Sequence, residues 1–105
     1  AFGAHALKNR LSPEALSIYQ TGVLYHLVHT CALGVCAWAC SRYAGGLSTA
    51  AGWAFVIGIV LFSGSLYALA LSGVRGLGAI TPLGGLAFLA GWAMLLMVAL
   101  RAPNP

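Results

Sequence analysis

Three long apolar runs account for most of this 105-residue chain. They cover residues 17–40, 50–71 and 83–100, and the few charged residues stand between or beside them. An α-helix rises about 1.5 Å per residue, so each run is long enough to cross a hydrocarbon layer of about 30 Å. The pattern therefore predicts three transmembrane helices and an integral membrane protein.

Local signals place the ends of these helices. The Ser-Pro-Glu sequence at 12–14 combines a capping hydroxyl, a proline for the first helical position and an acid for the positive end of the helix dipole. The glycine pair at 45–46 breaks the chain before Ser48 or Thr49, either of which can cap a second helix, and the Thr-Pro pair at 81–82 opens a third. Short connections between long helices favour an up-down-up antiparallel bundle. We expect one membrane domain over residues 1–105, with an interfacial loop over 1–11 and helices over about 13–41, 49–72 and 82–101.

Charge is scarce and almost entirely basic. Only 6% of the residues are charged, whereas about 25% is typical of a soluble domain. The single acid, Glu14, excludes paired-carboxylate hydrolysis, an aspartyl dyad and a carboxylate cage for calcium. The bases form no clustered face of the kind that binds nucleic acid, and their split between the two sides of the membrane is too even to fix orientation. We interpret them as headgroup anchors: Lys8, Arg10, Arg42, Arg75 and Arg101.

Small residues recur at four-residue spacing in the second and third helices. Between helices in lipid, hydrophobicity gives little driving force, so close backbone approach and hydrogen bonds hold helices together. Ser63 and Ser65 supply hydroxyls in the middle of the second helix. The pattern predicts that these two helices pack tightly through Gly58, Gly64, Ala68, Gly84 and Gly91.

A polar stripe distinguishes the first helix. At 100° per residue, its members fall within an arc of about 100°: Tyr19, Gly22, His26, His29, Cys36 and Cys40. Such a stripe would be costly against lipid, so we expect it to face protein, with neutral imidazoles and hydroxyls in hydrogen bonds between helices. Ser63 and Ser65 are candidate partners for them.

Cofactor chemistry on this stripe remains a weaker interpretation. Tyr19, His26 and His29 are the candidates for a proton or quinone site. Two histidines three residues apart on one helix cannot grip opposite faces of a haem. Soft-metal binding by thiolates and thioethers has no compact motif to support it; its candidate ligands are His29, Cys36, Cys40, Met94 and Met97. The sequence therefore names no cofactor and no metal ligand set.

Several blocks of the sequence resemble a known family. AFGAHALK at 1–8, YQTGVLYHLVH at 19–29 and the glycine-rich block at 76–92 are similar to the domain-of-unknown-function 423 family, as are LSPEAL at 11–16 and the block at 58–71. The family includes the YgdD-like bacterial inner membrane proteins and a small eukaryotic transmembrane relative. The resemblance implies a four-helix membrane protein without an established activity, and it supplies no catalytic roles. Because the family has a further apolar helix before the AFGAHAL segment, we expect that this helix is either cleaved or absent from an incomplete sequence.

These observations favour a non-catalytic function. We expect an accessory or structural subunit, or an assembly factor, of a larger membrane complex. The alternatives are a small proton or solute carrier or channel that uses the Tyr19–His26–His29 stripe, and a redox protein associated with quinone or haem. The expected partners are the lipid bilayer and other membrane subunits, in a multi-pass arrangement in a bacterial inner membrane or an organellar membrane.

Overall fold

The computed structural model describes residues 11–102, and every regular element in that range is helical. The four α-helices are α1 (Pro13–Arg42), α2 (Leu47–Gly58), α3 (Gly64–Ser72) and α4 (Thr81–Arg101). A π-helical turn, Ile59–Ser63, joins α2 to α3, and a 3-10 helix, Arg75–Ala79, precedes α4. The predicted loop over 1–11 falls almost wholly outside the described residues, as do Lys8 and Arg10.

Three of the resulting segments are long and apolar enough to cross a membrane: Pro13–Arg42, Leu47–Ser72 and Arg75–Arg101. They correspond to the three predicted transmembrane helices, and the all-helical membrane fold is confirmed. The span Leu47–Ser72 runs through α2, the π turn and α3 without a break in helical structure. It therefore acts as one continuous element on which the other two spans pack.

The start of α1 follows its sequence signal, whereas the start of α2 does not. The Ser12 hydroxyl accepts a hydrogen bond from the Ala15 N–H at 3.1 Å, and proline occupies the first helical turn. The predicted cap at Ser48 or Thr49 is wrong, because α2 already begins at Leu47 and Gly46 is its N-cap. Gly45, with φ of 102°, adopts a left-handed conformation that glycine tolerates, so the chain enters the helix directly after the glycine pair.

The predicted cap at Thr81 is also wrong. Ile80 is the N-cap of α4, and its carbonyl accepts the N–H of Leu83 at 3.0 Å. The 3-10 helix leads directly into α4, so the backbone ladder starts without a side-chain cap. The Thr81 hydroxyl is therefore free to bond the Ser65 hydroxyl of α3.

The three spans lie side by side, with Leu47–Ser72 in the middle. Its α2 portion packs extensively on α4, while α1 packs along α2, the π turn and α3. Direct contact between α1 and α4 is slight. The resulting antiparallel assembly measures 52 × 26 × 14 Å, and its thin dimension leaves much of each helix surface outside the bundle.

Glycines set the closest approach between the central span and α4. A Cβ at Gly91 would lie 2.6 Å from the ring of Phe55, and a Cβ at Gly58 would overlap the ring of Phe88. A Cβ at Gly84 would collide with the backbone nitrogen of Phe62 in the π turn. Tight packing of these two spans is therefore present, and it depends on glycine at all three positions.

Gly64 and Ala68 do not extend this contact as the four-residue spacing predicts. No atom lies within 4 Å of a Cβ placed at Gly64, and Ala68 is only half-buried. At 100° per residue, the six residues from Gly58 to Gly64 leave the two glycines about 120° apart on the helix. Gly64 therefore lies on a different side of the span from Gly58 even in a regular α-helix, and Ala68 lies one turn beyond Gly64.

Candidate functional site

His29 lies at the centre of the bundle and is only 4% exposed. Its Nδ1 is 2.8 Å from the carbonyl oxygen of Tyr25, and the indole N–H of Trp92 donates to its Nε2 at 3.1 Å. An indole nitrogen can only donate and a carbonyl can only accept, so Nε2 accepts and Nδ1 carries the proton. The two bonds together specify a neutral imidazole in one tautomer with both nitrogens engaged.

Aromatic rings enclose this imidazole. Phe88 of α4 stacks on it with 3.5 Å between ring centroids and 8° between planes, and Phe55 of α2 lies 5.6 Å away. Trp92 presents its edge at 5.9 Å. His29 thus joins α1 to both other spans. Ligation of a metal or haem iron through Nε2 would require the Trp92 bond to break.

Two serines of the central span form the other buried hydrogen bonds. Ser63 has no exposed surface, and its hydroxyl donates to the Gly22 carbonyl of α1 at 2.7 Å. Ser65 pairs with Thr81 of α4. Hydrogen bonds between helices are present as expected, but the serines bond the α1 backbone and α4 rather than the histidines. Within residues 11–102, every buried side-chain nitrogen and oxygen has a hydrogen-bond partner.

His26 occupies a different environment from His29. It is exposed near the middle of α1, and its Nδ1 lies 2.9 Å from the Tyr67 hydroxyl of α3. Tyr19 packs against the same tyrosine, with ring centroids 5.0 Å apart. Gly22 permits this approach, because a Cβ there would be 2.8 Å from the Tyr67 ring.

The members of the predicted polar stripe differ in how far they are buried. Gly22, His29 and Cys36 are buried in the bundle, whereas His26 and Cys40 are exposed. The exposed members still contact the central span, since His26 lies beside the Tyr67 hydroxyl and Cys40 beside the Thr49 hydroxyl. The stripe therefore lies against the central span, and part of it stays exposed because α1 packs on that span alone along most of its length.

A second small-residue stripe runs along the outside of α1 and was not predicted. Thr30, Gly34, Ala37 and Ser41 are all exposed, and at 100° per residue they fall within an arc of about 60°. No atom lies within 4 Å of a Cβ placed at Gly34. The sequence signal is the four-residue spacing of Thr30 to Gly34 and of Ala37 to Ser41, the same spacing that marks the glycines of the second and third predicted helices.

The arginines that we interpret as headgroup anchors lie at the two ends of the bundle. Arg42 and Arg101 line a cavity of about 570 Å³ at one end. Arg75 lines a cavity of about 460 Å³ at the other end, together with Glu14. Both cavities adjoin helix termini, where a bilayer presents its headgroups.

Thiols and metal-binding side chains show no assembled centre in the described range. Cys31, Cys36 and Cys40 are all free, and Cys36 alone is buried. No group of three or more histidine, cysteine or acidic side chains between residues 11 and 102 is placed to hold a metal ion. The Cys40 sulfur instead lies 3.5 Å from the Thr49 hydroxyl of α2.

Comparison with known proteins identifies relatives but no function. The family described as "Protein of unknown function (DUF423)" matches residues 1–85. The chain is 46% identical to the UPF0382 membrane protein YwdK of Bacillus subtilis over 96% of its own length and 83% of that protein. It is 44% identical to the UPF0382 inner membrane protein YgdD of Escherichia coli, covering 96% of the chain and 77% of YgdD. No solved structure matches. With three membrane-length helices and relatives of this kind, the chain belongs to the DUF423 family of multi-pass membrane proteins, whose function is unknown.

Proposed function

We propose that this protein is a non-catalytic accessory subunit that docks the outer face of α1 against a transmembrane helix of another protein. The observation that carries the proposal is the imidazole of His26, exposed near the middle of a membrane-spanning helix. Polar and ionisable groups at membrane depth usually face protein or a water-filled cavity, because lipid cannot hydrogen-bond them. A partner helix beside His26 would supply that environment.

The small-residue stripe beside His26 supports the same conclusion. Here we call the surface formed by Thr30, Gly34, Ala37 and Ser41 the outer stripe. The Thr30 hydroxyl donates to the His26 carbonyl at 2.7 Å, and the Ser41 hydroxyl donates to the Trp38 carbonyl at 2.6 Å. Their polar groups are thus satisfied within α1, and the stripe presents a shallow groove that a second helix can approach closely.

The composition of the three spans also supports a protein partner on the outer face of α1. The span formed by α1 is the least hydrophobic of the three. It also carries the exposed Gln20 and Cys31, which lie close to the outer stripe on the helical wheel. A helix that faced only lipid on this side would gain from larger apolar residues at these positions. The pattern is instead typical of a helix with protein on both sides.

A carrier or quinone-binding function receives less support from this geometry. Both nitrogens of His29 are engaged in hydrogen bonds, and aromatic rings enclose it. The proposed path along Tyr19, His26 and His29 would need His29 to exchange partners at each passage. His26 and Tyr67 are hydrogen-bonded on the outside of the bundle. A partner helix can cover that pair without any transport step.

Substitution of Ala37 by leucine tests the proposal. The change adds a branched side chain to the outer stripe, so we expect the partner recovered on native purification in mild detergent to fall by about tenfold or more, a loss of about 1.4 kcal/mol in association. Ala90→Leu is the matched control, because Ala90 is exposed on α4. Equal recovery with both variants, or purification of the wild type as a solitary chain or homo-oligomer, would refute the docking proposal.

A further inference from the structure

A cavity lies at the end of the bundle that contains Arg42 and Arg101. Helices α1 and α4 end there and α2 begins there, so three chain segments meet. The cavity has a volume of about 570 Å³, within the range of about 300–1,000 Å³ typical of small-molecule sites. Its lining includes both arginines, the connection from Tyr43 to Gly46, and the apolar residues Leu47 and Val98.

The charge of this cavity is not balanced by any acidic side chain of the sequence. Glu14 is the one acid in the chain, and it lines the cavity at the opposite end together with Arg75. The 30 residues of α1 separate the two ends by about 45 Å, so Glu14 cannot pair with Arg42 or Arg101. Two arginines therefore face one cavity without a carboxylate side chain from this chain, which favours an anionic occupant.

The start of α2 contributes hydrogen-bond donors to the cavity, while the ends of α1 and α4 present their last carbonyl groups there. Gly46, the N-cap of α2, also lines the cavity, and no side chain caps that helix start. The first N–H groups of a helix lack partners within the helix and carry the positive end of its dipole. These donors and the two guanidinium groups provide the combination of donors that phosphate oxygens accept.

We infer that this cavity binds the phosphate of an anionic phospholipid headgroup. Guanidinium groups match phosphate in a bidentate geometry, and the cavity lies where the helices leave the hydrocarbon layer. Leu47 and Val98 extend the lining towards the apolar spans. The first acyl carbons of a bound lipid can therefore continue along protein surface. This site is at the end of the bundle and does not depend on the outer stripe of α1.

Native mass spectrometry of the detergent-solubilised full chain tests this inference. The probes are phosphatidylglycerol, phosphatidylcholine and inorganic phosphate, each titrated alone. We expect phosphatidylglycerol to bind in preference to phosphatidylcholine. We also expect its affinity to fall by about tenfold or more in the double variant Arg42→Gln/Arg101→Gln, which loses two charge-assisted contacts. Arg75→Gln removes one positive charge from the other cavity and should bind as the wild type does.

A second double variant and the comparison of probes distinguish a phospholipid headgroup from free phosphate. The double variant Arg42→Lys/Arg101→Lys keeps both charges and should retain intermediate affinity, so the test survives if the glutamine variant does not fold. Equal affinity for the two lipids, or equal losses in Arg75→Gln and the double variant, would overturn the inference. Binding of inorganic phosphate without preference between the lipids would overturn the headgroup assignment and indicate a site for the free anion.

Discussion

At the scale of single residues, His29 shows how a polar group is accommodated at the centre of a membrane bundle. Its two nitrogens face opposite kinds of partner, a carbonyl acceptor and an indole donor. The imidazole therefore packs as an aromatic ring while every polar atom is satisfied. Because direct contact between α1 and α4 is otherwise slight, the Trp92 bond is a principal link between these helices.

Replacement of Trp92 by phenylalanine should lower the free energy of unfolding by about 1–3 kcal/mol. The change keeps an aromatic ring but leaves the Nε2 of a buried imidazole without its donor. Unfolding by sodium dodecyl sulfate in detergent micelles measures the difference. Trp53→Phe is the control, since Trp53 is 64% exposed, and its effect should stay within about 0.5 kcal/mol. A Trp92→Phe protein as stable as the Trp53→Phe protein would show that the hydrogen bond contributes nothing.

The two histidines of α1 show what could not be predicted about the site from the sequence. A helical wheel groups His26 with His29, because they are separated by only about 60°. The structure buries His29 with both nitrogens hydrogen-bonded and leaves His26 exposed, with its Nδ1 bonded to the Tyr67 hydroxyl. Which side of α1 is covered depends on where the other two spans cross it. The residue pattern of α1 does not contain that information, so the partners Tyr67 and Trp92 could not be predicted.

At the scale of elements, the π turn at Ile59–Ser63 governs how the central span meets its neighbours. It places the Ser63 hydroxyl on the α1 backbone and the Phe62 backbone against Gly84. The span lengths and the Ser12 cap could be predicted from the sequence, because they depend on local composition. The π turn could not, because the mostly apolar residues of this segment would equally form a regular α-helix.

Alanine should lower stability at Gly84 but not at Gly64. A Cβ at position 84 collides with the backbone of Phe62, which cannot move aside as a flexible side chain can, so we expect a loss of about 1–3 kcal/mol. A Cβ at position 64 meets nothing within 4 Å, and the higher helix propensity of alanine should leave stability unchanged or raised by up to about 1 kcal/mol. The same detergent unfolding assay compares them. Equal stability of the two variants would contradict the crossing of α4 on the π turn.

At the scale of the whole molecule, three helices side by side form a layer only 14 Å thick. Such a layer buries the polar groups on its inner contacts and leaves broad surfaces facing outward. The membrane environment could be predicted from composition alone. The division of α1 into a buried polar side and an exposed small-residue side could not, because it appears only once the other helices are in place. That division is the basis of the proposed accessory function.

Site-specific photo-crosslinking in native membranes tests whether α1 carries a docking surface for another protein. A photoreactive amino acid replaces Ala37 on the outer stripe or, as the control, Ala90 on α4; both positions are exposed. At position 37 we expect one discrete crosslinked product with a membrane protein other than a second copy of this chain, and at position 90 lipid adducts alone. Lipid adducts alone at both positions, or the same protein product from both, would contradict the proposal that α1 carries the docking surface.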